Sequence, residues 1–158
     1  MMSVGWAIIS CGDYADSRGA PGINQAEGGE LVAVHSRDRG RAEAFAEKHG
    51  AETAYTSVED VLGDSRIDAV YITSPNHLHV QYTTMAANAG KHVLMEKPLS
   101  VNMAEGAEIL QVCCIDGTTQ DTLKPSGWLQ MAPWARSLWL SLRSVRANGA
   151  MYIPNPGP

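Results

Sequence analysis

The stretch that decides the fold runs from Asp68 to Pro98, DAVYITSPNHLHVQYTTMAANAGKHVLMEKP. Asp68 to Thr73 is a β-branched and aromatic run too short for a helix. Pro75 disfavours the α conformation at Ser74, so the strand ends there. His77 to Asn88 carries apolar residues at helical spacing, and Ala89-Gly90 closes that helix. Lys91 to Met95 reads as a second strand, with the polar turn Glu96-Lys97-Pro98 just past its carboxyl end. In an open parallel sheet, ligands bind outside the carboxyl ends of the strands. Ser74-Pro75-Asn76 with His79, and Glu96-Lys97-Pro98, are therefore expected on one binding edge.

Toward the amino terminus, Val4 to Ser10 (VGWAIIS) is a buried-looking strand. It runs into Cys11-Gly12-Asp13-Tyr14-Ala15, where a dinucleotide-binding turn belongs. The fingerprint there is G-x-G-x-x-G or G-x-G-x-x-A. Aligned on Gly12, the second glycine and the final small residue, Ala15, are present, and Ser10 replaces the first glycine. Gly12 is the position that lets backbone approach a pyrophosphate. Arg18 to Gly29 reads as a poor helix broken by Pro21, Gly22 and Gly28-Gly29, yet long enough to cross to a parallel neighbour.

The next strand, Glu30 to Ser36, ends in His35-Ser36-Arg37. An acid at this place would hold a ribose 2′-hydroxyl and repel a 2′-phosphate. Serine and arginine hydrogen-bond and pair with a 2′-phosphate instead. NADP is therefore expected over NAD, against the plain alternative that Arg37 is a solvated loop residue. Asp38 suits the start of the following helix. Arg39 to His49 is amphipathic through Ala42, Phe45 and Ala46, with Gly50 as its cap. Thr53 to Thr56 is a short strand, and Ser57 starts a small helix with Asp60 in capping-box position. The order is strand and helix in alternation through five strands, which defines a doubly wound parallel sheet of Rossmann type, an α/β fold.

After Pro98, Ser100 to Cys114 reads as one more helix with Met103, Ala107, Leu110 and Cys114 on a shared face. Then the pattern stops. Asp116 to Asp121 is polar and aperiodic, and beyond Asp121 stand Lys124, Arg136, Arg143 and Arg146 with no acid. Pro133 to Ala147 has the spacing of an amphipathic helix through Trp134, Leu138, Leu142 and Val145. The end, from Tyr152 to Pro158, is unsuited to helix or central strand. We divide the chain into a dinucleotide-binding domain at 1–115 and an irregular tail at 116–158. The tail reads as a native extension, as the product of a frameshift or wrong gene boundary, or as the remnant of a deleted second domain. Its composition favours the latter two.

The chain has 158 residues, enough for one domain with a real core. No apolar run approaches a membrane span and no basic-then-apolar leader opens it, so a cytoplasmic protein without membrane contact is expected. A net charge of −5 argues against nonspecific nucleic-acid binding. Cys11, Cys113 and Cys114 form no metal-ligand pattern, and free thiols are the default. His77 and His79, two apart on a helix, make a poor metal pair, and no metal site is expected.

The two motifs SPNHLH and AGKHVLMEKP together resemble the amino-terminal domain of the Gfo/Idh/MocA oxidoreductases, relatives of glucose–fructose oxidoreductase and inositol dehydrogenase. The likeness extends from Val4 to Val112. It implies an NAD(P)-dependent oxidoreductase that moves hydride between nicotinamide and a small-molecule sugar or polyol-like carbon. By this resemblance Lys97 is the catalytic residue, near the nicotinamide and the substrate hydroxyl. Glu96 lies on the nicotinamide side, as do Ser74, Asn76 and His79, while Gly12, Ala15, Ser36 and Arg37 serve the adenosine and phosphate side. A plain alternative for Ser74 or Asn76 is helix capping with no ligand. Full-length relatives carry a second, sheet-rich domain, and this chain is expected to be truncated before it. The rival reading is a nucleotide-binding module without turnover, truncated or regulatory. A Rossmann-like domain for another adenosine ligand leaves the paired motifs unexplained. A homo-oligomer is compatible with either.

Overall fold

A computed structural model describes residues 3–113 and 151–153. Five strands run parallel: β1 (Val4–Ile9), β2 (Gly29–His35), β3 (Thr53–Tyr55), β4 (Ala69–Ile72) and β5 (His92–Met95). A sixth, β6 (Met151–Ile153), lies antiparallel on β5, giving the order β3-β2-β1-β4-β5-β6. The expected Rossmann-type α/β sheet is therefore present, with one antiparallel edge added. β6 also corrects the expectation of an irregular tail at these three residues. Met-Tyr-Ile is a fair strand sequence, and its edge position agrees with the expectation that this end is unsuited to a central strand. The amphipathic segment expected at Pro133–Ala147, and Cys114, lie outside the described residues.

β1 is buried along its whole length, with Trp6, Ala7, Ile8 and Ile9 almost without exposure. Trp6 and Ile8 face one apolar cluster with Ile23, Phe45 and Tyr71, while Ala7 and Ile9 face the other with Val61, Ile67 and Tyr82. Helices thus cover both faces of the sheet, as alternation along a parallel strand requires.

The first crossover differs from its expectation. Residues Ala15–Gly19 form a π-helical turn that runs directly into α1 (Ala20–Gln25), and Pro21 does not break it. Proline falls in the first turn of α1, where its missing N–H does little harm. α2 (Arg39–His49) starts on Asp38, whose Oδ1 accepts from the Arg41 amide at 2.8 Å, and ends on Gly50 at φ 76°. Asp16 ties the first crossover to the end of α2 through Lys48 at 2.7 Å and His49 at 2.8 Å. α3 (Val58–Gly63) is capped by Ser57, which accepts from the Asp60 amide; its hydroxyl donates to Glu59 rather than engaging the Asp60 side chain.

A 3₁₀ turn (Asn76–Leu78) precedes α4 (His79–Asn88), and α5 (Met103–Cys113) packs on α4. The apolar face expected on α5 is rotated. Met103 is 90% exposed and Ala107 is exposed, whereas Ile109 is fully buried. The start of the helix sets its phase: Asn102 Oδ1 accepts from the Glu105 amide, and the Glu105 carboxylate accepts from the Val101 amide and from Asn102 Nδ2. That reciprocal cap leaves Met103 pointing outward. Among the described residues, no helix is long and apolar enough to cross a membrane.

Gly5 is where the sheet admits no side chain. A Cβ there would stand 1.9 Å from the Arg66 carbonyl oxygen, and the Gly5 amide donates to Asp68 Oδ2 at 2.8 Å. Gly5→Ala should therefore push β1 away from the turn before β4 and cost about 2–3 kcal/mol. Urea unfolding of the two proteins measures it; an unchanged midpoint would contradict the close approach.

Candidate dinucleotide site

β1 is flanked by β2 and β4, so the loops that follow β2 and β4 diverge above its carboxyl end, the usual ligand position in an open α/β sheet. A cleft of about 800 Å³ opens there. Ser10, Cys11 and Gly12 form its floor after β1. Ser36, Arg37, Asp38 and Arg41 form the side after β2, and Thr73, Ser74, Leu78 and Tyr82 the side after β4.

The floor shows how the altered fingerprint works. Ser10 has φ 78°, the left-handed conformation that glycine adopts without penalty. Several bonds hold it there. The amides of Ser10 and Cys11 both donate to the His35 carbonyl at 3.0 Å, and Thr73 Oγ1 donates to the Ser10 carbonyl at 2.7 Å. At Gly12, a Cβ would meet nothing within 4 Å, so the space beside the turn is open. Asp16 donates the first helical bond to the Gly12 carbonyl at 2.9 Å. The preceding amides, Asp13 to Ala15, belong to the first turn, which has no helical acceptor of its own. Ala15 is fully buried under the turn, where its small side chain allows the helix to sit close to the sheet.

On the β2 side, Ser36 is largely buried and its Oγ accepts from the Asp38 amide at 3.2 Å. Asp38 turns its carboxylate to the helix start, as its cap bond shows. Arg37 and Arg41 stand exposed on the cleft rim. Sequence reasoning missed Arg41, which lies on the first turn of α2 and lines the same cleft as Arg37. Below them, burial pushes the Cys11 thiol up to about 12 and the His35 imidazole down, so both are neutral at pH 7. His35 Nδ1 is buried with no hydrogen-bond partner among the described residues.

On the β4 side, Ser74 lines the cleft. Neither Ser74 nor Asn76 caps a helix, because neither the 3₁₀ turn nor α4 has a side-chain cap bond. Asn76 is exposed and lies outside the cleft lining. His79 is fully buried and does not face the cleft. Its Nδ1 lies 2.8 Å from the Pro98 carbonyl oxygen and its Nε2 3.0 Å from that of Ser74. In either tautomer one ring N–H donates to one of the two turns it bridges.

Glu96 and Lys97 sit one strand further along, after β5. Lys97 is exposed and is joined to Pro98 by a cis peptide bond. Glu96 accepts a hydrogen bond from the Tyr71 hydroxyl. Sequence reasoning also missed this tyrosine, since a strand residue of β4 reads as core.

The geometry agrees with comparisons to known proteins. A family described as "Oxidoreductase family, NAD-binding Rossmann fold" (GFO_IDH_MocA) matches residues 4–119. The chain belongs to this family. It is 45% identical over 95 residues to a D-xylose 1-dehydrogenase (NADP(+)) of Haloferax volcanii, covering 60% of this chain and 29% of that protein. It is 41% identical over 88 residues to a scyllo-inositol 2-dehydrogenase (NADP(+)) of Bacillus subtilis, covering 56% of this chain and 27% of that protein. Among solved structures, the 3-ketoreductase KijD10 of Actinomadura kijaniata in complex with NADP superposes with a TM-score of 0.66 at 32% identity. That match covers 70% of this chain and 35% of the other. The chain thus spans about a third of the length of the relatives it matches.

Ser10 offers a direct test of the turn. Ser10→Gly keeps the observed backbone and removes the left-handed penalty, offset in part by greater freedom of the unfolded chain. The variant should be more stable by about 0.5–1 kcal/mol, read as a higher urea midpoint. A lower midpoint would show that the Ser10 side chain contributes more than its conformation costs.

Proposed function

We propose that the cleft binds NADP, and that the chain is the cofactor domain of an oxidoreductase acting on a sugar or polyol-like substrate. The observation that carries the cofactor choice is the β2 rim. Ser36, Arg37 and Arg41 stand where an acid would select NAD, and the acid that lines the cleft, Asp38, is engaged at the start of α2. The donor set fits the group: two guanidinium ions for a 2′-phosphate and a glycine beside open space for the pyrophosphate. Ser74 would serve the nicotinamide half from the β4 side and Glu96 from the β5 side. Ala15 and His79 act indirectly, the first by close packing and the second by bridging the Ser74 and Pro98 carbonyls. Asn76, exposed beside Ser74, would contribute only at the mouth of the cleft.

The bound nicotinamide would supply or accept the hydride. Lys97, the candidate catalytic residue, would hydrogen-bond the reacting oxygen of the substrate and pass a proton at its Nζ as that oxygen changes between hydroxyl and carbonyl. In this reading residues 1–115 form the cofactor domain, and 116–158 a tail that returns one edge strand, β6, to its sheet. A second reading, nucleotide binding without turnover, is favoured by the exposure of Lys97. This second reading keeps every binding residue and removes only the role of Lys97. Turnover of NADP with a polyol would establish the first reading.

Titration of the purified chain with NADPH and NADH, followed by nicotinamide fluorescence, tests the cofactor assignment. NADPH should bind more tightly. Arg37→Ala and Arg41→Ala should each weaken NADPH by about 10-fold or more, as expected for loss of a charge-assisted bond, and leave NADH within about twofold. Equal loss for both nucleotides would refute the 2′-phosphate role.

A further inference from the structure

We propose that His79 is a positioning residue that holds the turn bearing Lys97 against the turn bearing Ser74 and so fixes the nicotinamide end of the cleft; this rests on the cofactor reading above. β4 and β5 are paired to their ends, where Ile72 stands opposite Met95 and the Glu96 amide donates to the Ile72 carbonyl at 3.0 Å. Past that bond the chain leaves the sheet on both strands, through Ser74 on one and through Glu96-Lys97-Pro98 on the other. The His79 ring continues the link where the ladder stops. Its Nδ1 lies 2.8 Å from the Pro98 carbonyl oxygen and its Nε2 3.0 Å from the Ser74 carbonyl oxygen.

The ring itself has little freedom. It is fully buried, and its backbone is fixed at the start of α4, where the His79 amide donates to the Asn76 carbonyl. An imidazole carries its two nitrogens at a fixed separation, so a ring that meets both carbonyls sets the distance between them. A neutral ring donates to one carbonyl and a ring with both protons donates to both, with the same spacing in either state. The two anchored turns carry the groups assigned to the nicotinamide half. Ser74 lines the cleft, and Lys97 immediately precedes Pro98. The residues assigned to the 2′-phosphate, Arg37 and Arg41, come instead from the side after β2, which the ring does not touch. Loss of either anchor should therefore be felt at one end of the cofactor and not at the other.

Two substitutions divide the ring between its anchors. The amide nitrogen of asparagine stands near the place of Nδ1, and that of glutamine near the place of Nε2. His79→Asn thus keeps a donor for the Pro98 carbonyl, and His79→Gln keeps one for the Ser74 carbonyl. Two ligands separate positioning from a merely structural role: NADPH, and 2′-phosphoadenosine diphosphoribose, which lacks the nicotinamide. Isothermal titration of the unmodified chain and both variants reads the difference. At least one variant should weaken NADPH by about 3–10-fold, the usual effect of one lost hydrogen bond, and leave the fragment within about twofold. The variant that does so identifies the turn whose anchoring matters. Unchanged NADPH affinity in both variants, or loss of both ligands alike, would overturn the assignment alone. Failure of the unmodified chain to bind either ligand would overturn the cofactor reading and this assignment with it.

Discussion

β1 lies between β2 and β4, hydrogen-bonded in parallel to both, and the chain winds away from it in opposite senses on its two sides. Because connections between parallel strands are right-handed, the loops after β2 and β4 are carried to opposite sides of the β1 terminus. The cleft is the space this leaves. Its position depends on β1 staying central, and that in turn depends on burial. Trp6, Ile8 and Ile9 are each almost fully enclosed. Each large side chain contributes roughly 1.5–3 kcal/mol, against a net folding stability of about 5–15 kcal/mol for a typical domain.

Above β1 the same frame holds Ser10 in a conformation it would not choose. The left-handed region costs a non-glycine residue roughly 1–2 kcal/mol. Two amides on the His35 carbonyl and the Thr73 hydroxyl on the Ser10 carbonyl oppose that cost, each contributing about 0.5–1.5 kcal/mol. All three bonds come from β2, from β4 or from the turn itself, so the flanking strands determine the turn. The fingerprint glycine is dispensable at this position for that reason. Gly5 is not dispensable, because its neighbour is a carbonyl oxygen of the main chain rather than a movable side chain.

Features governed by neighbours in sequence were legible before the structure. The Asp38 cap, the Gly50 terminus, the five parallel strands and the placement of Gly12, Ser36, Arg37 and Ser74 around one cleft all follow from local chemistry and alternation. Features governed by what packs opposite were not. Pro21 looked like a breaker because its tolerance depends on a π-helical turn ending just before it. Met103 and Ala107 looked like an inward face because periodicity gives the spacing of a helix and not its rotation, which the Asn102–Glu105 cap decides. His79 looked like a ligand of the cleft because its motif places it near the turn, while its burial depends on the distant Pro98 carbonyl. Tyr71 and Glu96 are 25 residues apart in sequence, and only the pairing of β4 with β5 brings them together.

At the β2 rim the residues proposed to select the cofactor are also those that start α2. The run Ser36-Arg37-Asp38 to Arg41 performs two tasks with overlapping atoms. Asp38 caps α2 through the Arg41 amide, and that same bond begins the helical turn that returns Arg41 to the side of Arg37. Ser36 Oγ steadies the Asp38 amide from the other side. Removing the cap would cost about 1 kcal/mol of helix stability and also loosen the placement of the second guanidinium. An acid introduced at Ser36 would meet two cations and the Asp38 carboxylate together, so its effect would extend beyond the ribose contact. A preference for a 2′-phosphate would therefore reside in how this helix begins, rather than in Arg37 alone.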